Sequence, residues 1–389
     1  MHIFDIGRRL AVAERLRCSL RTKYGQEARP KKTKDWGKVL SLREHFASTR
    51  SSEDASCVAF SGNLDIVGRN AECFVKIAYK NASDARDAAV ERRILENDIR
   101  RLVSRALTPC LPLCMGTFRV KNDTGIMNWK LYGEVLEQIK KEGIVRDLNR
   151  RRFIDLLVTE HCGKMTLREY LLSRSTNDRN ELPCIFLMLF HALEILSEHG
   201  ICHGDMHFKN IVLCEVPPTV VSFDGRVFET TLVPIIVDWD IARTSRVKNT
   251  TYSHVGIFNE QDPLFDLYGV LRTLFYTQMQ STHNSRREGA IITCPETKKF
   301  LLDITHSLRE AKRRHPWLFK LEFQDEDGHT VKCVQQTPYV PAGGRGRPVK
   351  WPKDVKEVTP SFRGLRDIAY KAISRTEGGV VNGTPAFYF

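Results

Sequence analysis

CHGDMHFKNIVL, residues 202–213, sets two histidines, an aspartate, a lysine and an asparagine close together and then turns apolar. The stretch before it, PCIFLMLFHALEILSEHGI (183–201), is apolar nearly all round and reads as a buried helix. A buried helix thus delivers the chain to His203, and the short strand NIVL carries it away. A polar loop between buried elements must have its polar atoms satisfied or used. The spacing of Asp205 and Asn210 suits a loop that holds a carboxylate beside a reacting hydroxyl and an amide oxygen on a metal ion.

Working downstream, TVVSFDGRVFETT (219–231) carries the hairpin signal Asp224-Gly225 between strand-like runs. LVPIIVDWD (232–240) is an apolar strand that ends abruptly in Asp238. A carboxylate there, near a loop with Asp and Asn, suits Mg²⁺, a hard cation that prefers oxygen ligands.

Working upstream, VLSLREHF, SCVAFSG and ECFVKIAY between residues 38 and 80 read as strands of a hairpin meander. Lys76 lies mid-strand among apolar residues, where an unpaired charge is costly, so a buried acidic partner is expected. Residues 83–107 read as a helix, with acidic residues early and arginines late. Glu91 shares a stripe with Leu95, Ile99 and Leu102 and faces the core. Glu96 lies four residues from both Arg92 and Arg100, the setting of a solvated ion-pair face, so Glu91 is chosen as the partner of Lys76. FIDLLVTEHCGKMTLREYLL (153–172) reads as strand, short link and helix.

Taken in order, HGDMHFKN followed by VDWD resembles the catalytic loop and metal loop of the protein-kinase-like superfamily. The variant with Gly204 and His207 is similar to divergent Ser/Thr protein kinases, including haspin-like and large-DNA-virus kinases, and also to small-molecule kinases of the aminoglycoside and choline type. The resemblance spans roughly residues 38–280. It implies an α+β, two-lobed protein-kinase-like fold, with a small β-rich N-lobe and a larger, mainly helical C-lobe. The implied divisions are a basic N-terminal extension (1–37), an N-lobe (38–160) with an insertion at about 121–152, a C-lobe (161–337) and a basic Pro/Gly-containing tail (338–389).

The resemblance also implies roles. Lys76 would hold the α/β-phosphates of ATP, with Glu91 fixing it. Backbone groups of Glu160, His161 and Cys162 would meet the adenine edge, and Gly163 would allow the turn. Asp205 would orient the acceptor hydroxyl or take its proton, and Asn210 and Asp238 would bind Mg²⁺, with Mn²⁺ as a substitute. His207 stands where many kinases carry a phosphate-contacting lysine; it either touches the phosphate or braces the loop. His203 is a scaffold residue, and Asp266 caps the backbone of the catalytic loop.

The implied activity is transfer of the ATP γ-phosphate to a Ser/Thr hydroxyl of a protein substrate. Two rivals stand beside it: a small-molecule kinase, and a pseudokinase scaffold with a DNA-binding tail. The second draws on departures from the pattern. ASTRSSEDAS (47–56), where a glycine-rich phosphate loop belongs, has no glycine, and Gly62 and Gly68 fall later, in an expected hairpin turn. Gly204, Trp239 and Asp240 replace the arginine, phenylalanine and glycine usual at those places.

Composition bounds the rest. The 389 residues suffice for a substantial core, and the formal charge of +13 attracts polyanions, although a solubilising surface is the plainer reading of the total charge alone. The 11 cysteines are scattered, with no paired zinc-ligand spacing, and point to a reducing, intracellular (cytoplasmic or nuclear) setting. No apolar run reaches membrane-spanning length, and no secretory signal is expected. Arg345 and Arg347 in GGRGRPVKWPK resemble the core of an AT-hook, a motif that enters the A·T minor groove; a solvated tail is the plainer reading.

Overall fold

The computed structural model describes residues 3–24, 40–46, 57–66, 69–78, 90–121, 134, 153–172, 181–240, 242–247, 266–267, 269–271, 273, 299–300, 303–304, 321–324, 330–333, 361–374 and 384–389. The phosphate-loop candidate 47–56, nearly all of the insertion 121–152, Gly68 and the Arg345/Arg347 motif lie outside them. The architecture is mixed α/β: an antiparallel sheet built from the N-terminal half, followed by helices and a long hairpin.

Alternation builds the sheet. Strands β1 (Leu40–Phe46), β2 (Cys57–Ile66), β3 (Arg69–Ala78), β4 (Cys114–Lys121) and β5 (Phe153–Glu160) pair antiparallel in the order β1-β2-β3-β5-β4. In β3, Cys73, Val75 and Ile77 are buried on one face, which turns Lys76 to the other. Lys76 sits in register between Ala59 of β2 and Leu157 of β5, so two neighbouring strands fix its height. Gly62 is not in a turn: it pairs with Cys73 in mid-ladder, and a Cβ there would lie 2.8 Å from the Ser41 carbonyl of β1. The close approach of two strands explains that glycine.

Helix α1 (Ile6–Tyr24) precedes the sheet, and α2 comprises the π-helical Ile94–Ile99 and the α-helical Arg100–Ser104. Ile94, Leu95, Ile99, Leu102 and Val103 of α2 are buried. The expected polar turn at Asp224-Gly225 joins β8 (Ile211–Phe223) to β9 (Arg226–Ile236), with φ of 49° and 74°. Both positive values fit the hairpin turns whose twist matches that of the strands.

Short strand β6 (Met165–Thr166) pairs with β8, and α3 (Leu167–Leu172) follows it. Helix α4 (Glu181–Glu198) is buried along most of its length, including Cys184–Leu193. Its first residue, Glu181, accepts the Thr231 N–H at 3.0 Å, anchoring the helix to β9. The strands β7 (Ile201–Cys202) and β10 (Arg243–Thr244) pair across the polar loop, and β11 (Leu321–Gln324) pairs with β12 (Thr330–Cys333).

Described parts of both end segments pack onto the rest of the fold. Within 338–389, α5 (Phe362–Ser374) packs on α4, and β13 (Phe387–Tyr388) pairs parallel with β8. Leu365, Ala369 and Ile373 of α5 recur at helical spacing and are buried, which outweighs the helix's basic character. Phe4 stacks on Phe387 and meets Phe389 at a tilt, at centroid distances of 5.7 and 5.8 Å, so segments from both ends share one aromatic cluster. No described helix is long and apolar enough to cross a membrane.

Candidate functional site

Lys76 is where the parts meet. Its Nζ donates to Glu91 Oε2 at 3.0 Å and Oε1 at 3.2 Å, and to Asp238 Oδ1 at 2.6 Å. The acidic partner is thus Glu91, 4% exposed in the helical turn that leads into α2; Glu96 turns away to Thr117 Oγ1 and Arg92. Glu91 also reaches beyond the lysine, since its Oε1 accepts the backbone N–H of Trp239 at 3.2 Å. One carboxylate therefore ties the sheet lysine to the chain that follows β9.

Asp238 leaves β9 in the left-handed region, φ 67°. Few non-glycine residues adopt it, and Asp is among the more tolerant. The surroundings hold it there. Val237 N–H donates to the Asn210 carbonyl at 2.9 Å, and the Val237 carbonyl accepts His203 Nε2–H at 2.9 Å. Trp239 packs inward, 1% exposed, with its ring edge-on to His203 at 4.7 Å and its Nε1–H on the Ile236 carbonyl.

The polar loop is braced from below. Asp266 accepts the N–H of His203 at 2.6 Å on Oδ2 and that of Gly204 at 2.9 Å on Oδ1. His203 is fully buried, and its Nδ1 accepts the Asp205 N–H at 3.3 Å, so Nε2 carries the proton given to Val237. Gly204 has φ 85°, which lets the chain turn between two such constraints. Met206 is buried beneath the loop, and Gly269 lies so close that a Cβ there would sit 2.6 Å from the Met206 carbonyl.

These supports aim Asp205 and Asn210 at each other. Asn210 Nδ2 donates to the Asp205 carbonyl at 2.9 Å and to Asp205 Oδ2 at 3.3 Å. His207 Nε2 also lies 3.3 Å from Asp205 Oδ2, so this histidine reaches the carboxylate. The negative charge of Asp205 in turn acts on Asp238.

Burial and charge pull the carboxylates apart. Burial pushes Glu91 up to about 7, with Lys76 opposing and Asp238 and Asp240 adding to the rise. Loss of hydration also acts upward on Asp238, but the charge and hydrogen bond of Lys76 outweigh it and hold the carboxyl below its usual range. A neighbouring carboxyl pair with opposite shifts, bridged by one ammonium, favours a charged Asp238. The thiols stay out of this chemistry: burial raises Cys202, and raises Cys214 to about 11.

The end of β5 is held by contacts of its own. The Glu160 N–H is taken by the Leu113 carbonyl at 3.1 Å, so it is not free to face a ligand. The Glu160 carbonyl accepts the Cys162 thiol at 3.5 Å, and Cys162 is 6% exposed. Gly163 has φ 128°, and a Cβ there would collide with the Leu213 carbonyl of β8. The Glu160 side chain is 2% exposed and turns inward to Arg9 of α1, a residue to which the sequence pattern assigned no role. A signal existed: Arg9 lies at helical spacing between Ile6 and Ala13, on the stripe that buries.

No protein-family model matches this chain, and no curated protein matches it. Among solved structures, a crystal structure of a kinase domain aligns at 14% identity with a TM-score of 0.33. The alignment covers 55% of this chain and 53% of that one, so the chain spans about half the length of the structure it matches. At this level the site is read from its own geometry.

Proposed function

We propose that the chain is an ATP-dependent phosphotransferase that moves the γ-phosphate to a Ser/Thr hydroxyl of a protein. The observation that carries this reading is the Lys76 ammonium joined to both Glu91 and Asp238. Beside it lie Asp205 and Asn210 in one braced loop. A mid-strand lysine, a helix glutamate and a strand-end aspartate converge from positions far apart in sequence.

The donor set fits a divalent cation. The Asn210 Nδ2 is directed at Asp205, so its Oδ1 is the atom that would be offered to a metal. Asp238 is 39% exposed and supplies a charged carboxylate. Such hard oxygens suit Mg²⁺ or Mn²⁺. When bound, the ion offsets the charge of the phosphates.

In this reading Lys76 positions the α/β-phosphates, and Glu91 and the Trp239 amide keep it in place. The adenine edge falls to the Glu160 carbonyl and the Cys162 backbone. Asp205 orients the acceptor hydroxyl, whose oxygen bonds to the γ-phosphorus as the bond to the β-phosphate oxygen breaks. The hydroxyl proton passes to the Asp205 carboxylate and ADP leaves. Positioning and charge carry most of the rate, with no covalent intermediate on the chain. His207, on the same carboxylate, braces it.

The test is transfer of labelled γ-phosphate with Mg²⁺, run against protein panels and against small hydroxylated acceptors such as aminosugars and choline. We expect transfer to protein, with Asp205→Asn and Asp238→Asn each lowering it about a hundredfold or more. Asp205→Asn should keep its nucleotide affinity, while Asp238→Asn should lose Mg²⁺-dependent affinity. Equal activity in all three proteins refutes the assignment. Transfer to small acceptors alone refutes the protein substrate, and nucleotide binding without turnover points to a scaffold.

A further inference from the structure

Arg9 stands apart from the cluster around Lys76 and is wholly buried. Its Nε donates to Glu160 Oε2 at 3.1 Å. Nη1 donates to the carbonyls of Ile3 at 3.2 Å and Pro109 at 3.4 Å. Nη2 donates to the Leu111 carbonyl at 2.7 Å and to Glu160 Oε1. A guanidinium has a fixed fork of N–H donors, and here every one of them has an acceptor. Glu160 is equally engaged, since its Oε1 also accepts the Leu113 N–H at 2.7 Å.

The consequence is geometric. The pair binds α1, residues 109–113 and the end of β5 into one unit. From that end the chain runs through Cys162 to Gly163, whose backbone is pressed against β8. Residues 160–163 are thereby held from both sides, by Arg9 at one end and Leu213 at the other.

We propose that Arg9 is a positioning residue for the nucleotide: through Glu160 it sets the backbone of residues 160–163 and so the affinity for the adenine ring. This rests on the phosphotransferase reading. Stability alone does not call for such a pair, because buried ion pairs are often replaceable by apolar residues without loss. What an apolar pair cannot supply is the fork that fixes both Glu160 oxygens and the Leu111 and Pro109 carbonyls at once.

The experiment uses the full chain with Arg9→Lys, which keeps the charge and loses the fork, and the double variant Arg9→Met/Glu160→Met, which removes both charges. Melting temperature reports folding, and hydrogen exchange reports the amides of residues 160–163. Kinetics give KM for ATP and kcat, with adenosine and Mg²⁺-tripolyphosphate as inhibitors. We expect folded variants with faster exchange at 160–163 and a KM for ATP raised roughly fivefold or more, the equivalent of one misplaced hydrogen bond. The kcat should stay within about twofold, the signature of lost uniform binding. Adenosine should weaken as an inhibitor while tripolyphosphate, which lacks the base, stays unchanged. If Arg9→Lys does not fold, the double variant decides.

An unchanged KM in a folded variant, or equal weakening of adenosine and tripolyphosphate, overturns the inference alone. A wild-type chain that takes up neither ATP nor adenosine overturns the phosphotransferase reading, and this inference with it.

Discussion

Glu91 joins Lys76 to the Trp239 backbone while almost free of water, and its protonation is therefore coupled to folding. Its folded value of about 7 lies above the ordinary 4.5. Between those values the folded chain keeps a proton that the unfolded chain has released, so the contribution of Glu91 to stability falls as pH rises. Asp238 runs the other way. Its depressed value adds stability above the ordinary 3.8 that is lost only on acidification through the folded value. Across the neutral range Glu91 is the group that changes. Calorimetric melting of the nucleotide-free protein should show the margin of wild type over Glu91→Gln shrinking between about pH 5 and about pH 8. A constant or growing margin contradicts this. Lys76→Met is predicted to be the harsher change, costing about 3 kcal/mol by leaving two carboxylates without their shared cation. Chemical denaturation measures it, and Lys76→Met/Glu91→Met should recover part of the loss.

At the scale of elements, close approaches of backbone fix the site, and glycines permit them. Gly163→Ala combines a positive φ with a collision against the Leu213 carbonyl. It should lower stability by about 1–3 kcal/mol or more, read as a fall in melting temperature. Gly269→Ala acts on the polar loop instead. A Cβ 2.6 Å from the Met206 carbonyl must push residues 203–210 or the helical turn beneath them. Its kcat should fall several-fold or more, about as expected for a misplaced reacting group, while KM for ATP changes little. A drop in KM-linked binding with intact kcat would place the strain elsewhere.

The elements that hold this site were legible to different degrees. The place of Lys76 mid-strand among apolar residues called for a buried acidic partner, and the stripe through Leu95 and Ile99 selected Glu91 over Glu96, because burial follows the helical period. Asp224-Gly225 announced its turn because only certain residues accept positive φ. Gly62 misled, since a glycine that admits a neighbouring strand looks the same in sequence as one that makes a turn. Arg9 and Arg366 of α5 were hidden by charge: both are buried because acidic partners wait far along the chain. Long-range pairing leaves no local periodicity to read.

For the whole molecule, the second such arginine decides how the C-terminal segment is held. Arg366 of α5 donates to Asp224 at the β8–β9 turn, to His191 Nδ1 at 3.1 Å and lies 2.7 Å from Glu194 on α4. His191 donates its Nε2–H to the Leu107 carbonyl at 3.1 Å, and burial lowers its pKa, so its Nδ1 accepts from the guanidinium as part of a neutral ring. His191, Glu194 and Asp224 bring their ligand atoms within 4.8 Å of one another, a spacing that a metal ion could use. The guanidinium already supplies the positive charge there. Zn²⁺ should therefore leave the melting temperature of the wild type unchanged. Arg366→Ala should cost about 2–4 kcal/mol, less than a fully buried pair because Asp224 is 41% exposed. With the cation gone, a histidine nitrogen and two carboxylates are the ligand types that Zn²⁺ accepts, so Zn²⁺ should restore part of the lost stability in the variant. Zn²⁺ stabilisation of the wild type, or none in Arg366→Ala, would show that the cluster is not held together by charge balance around Arg366.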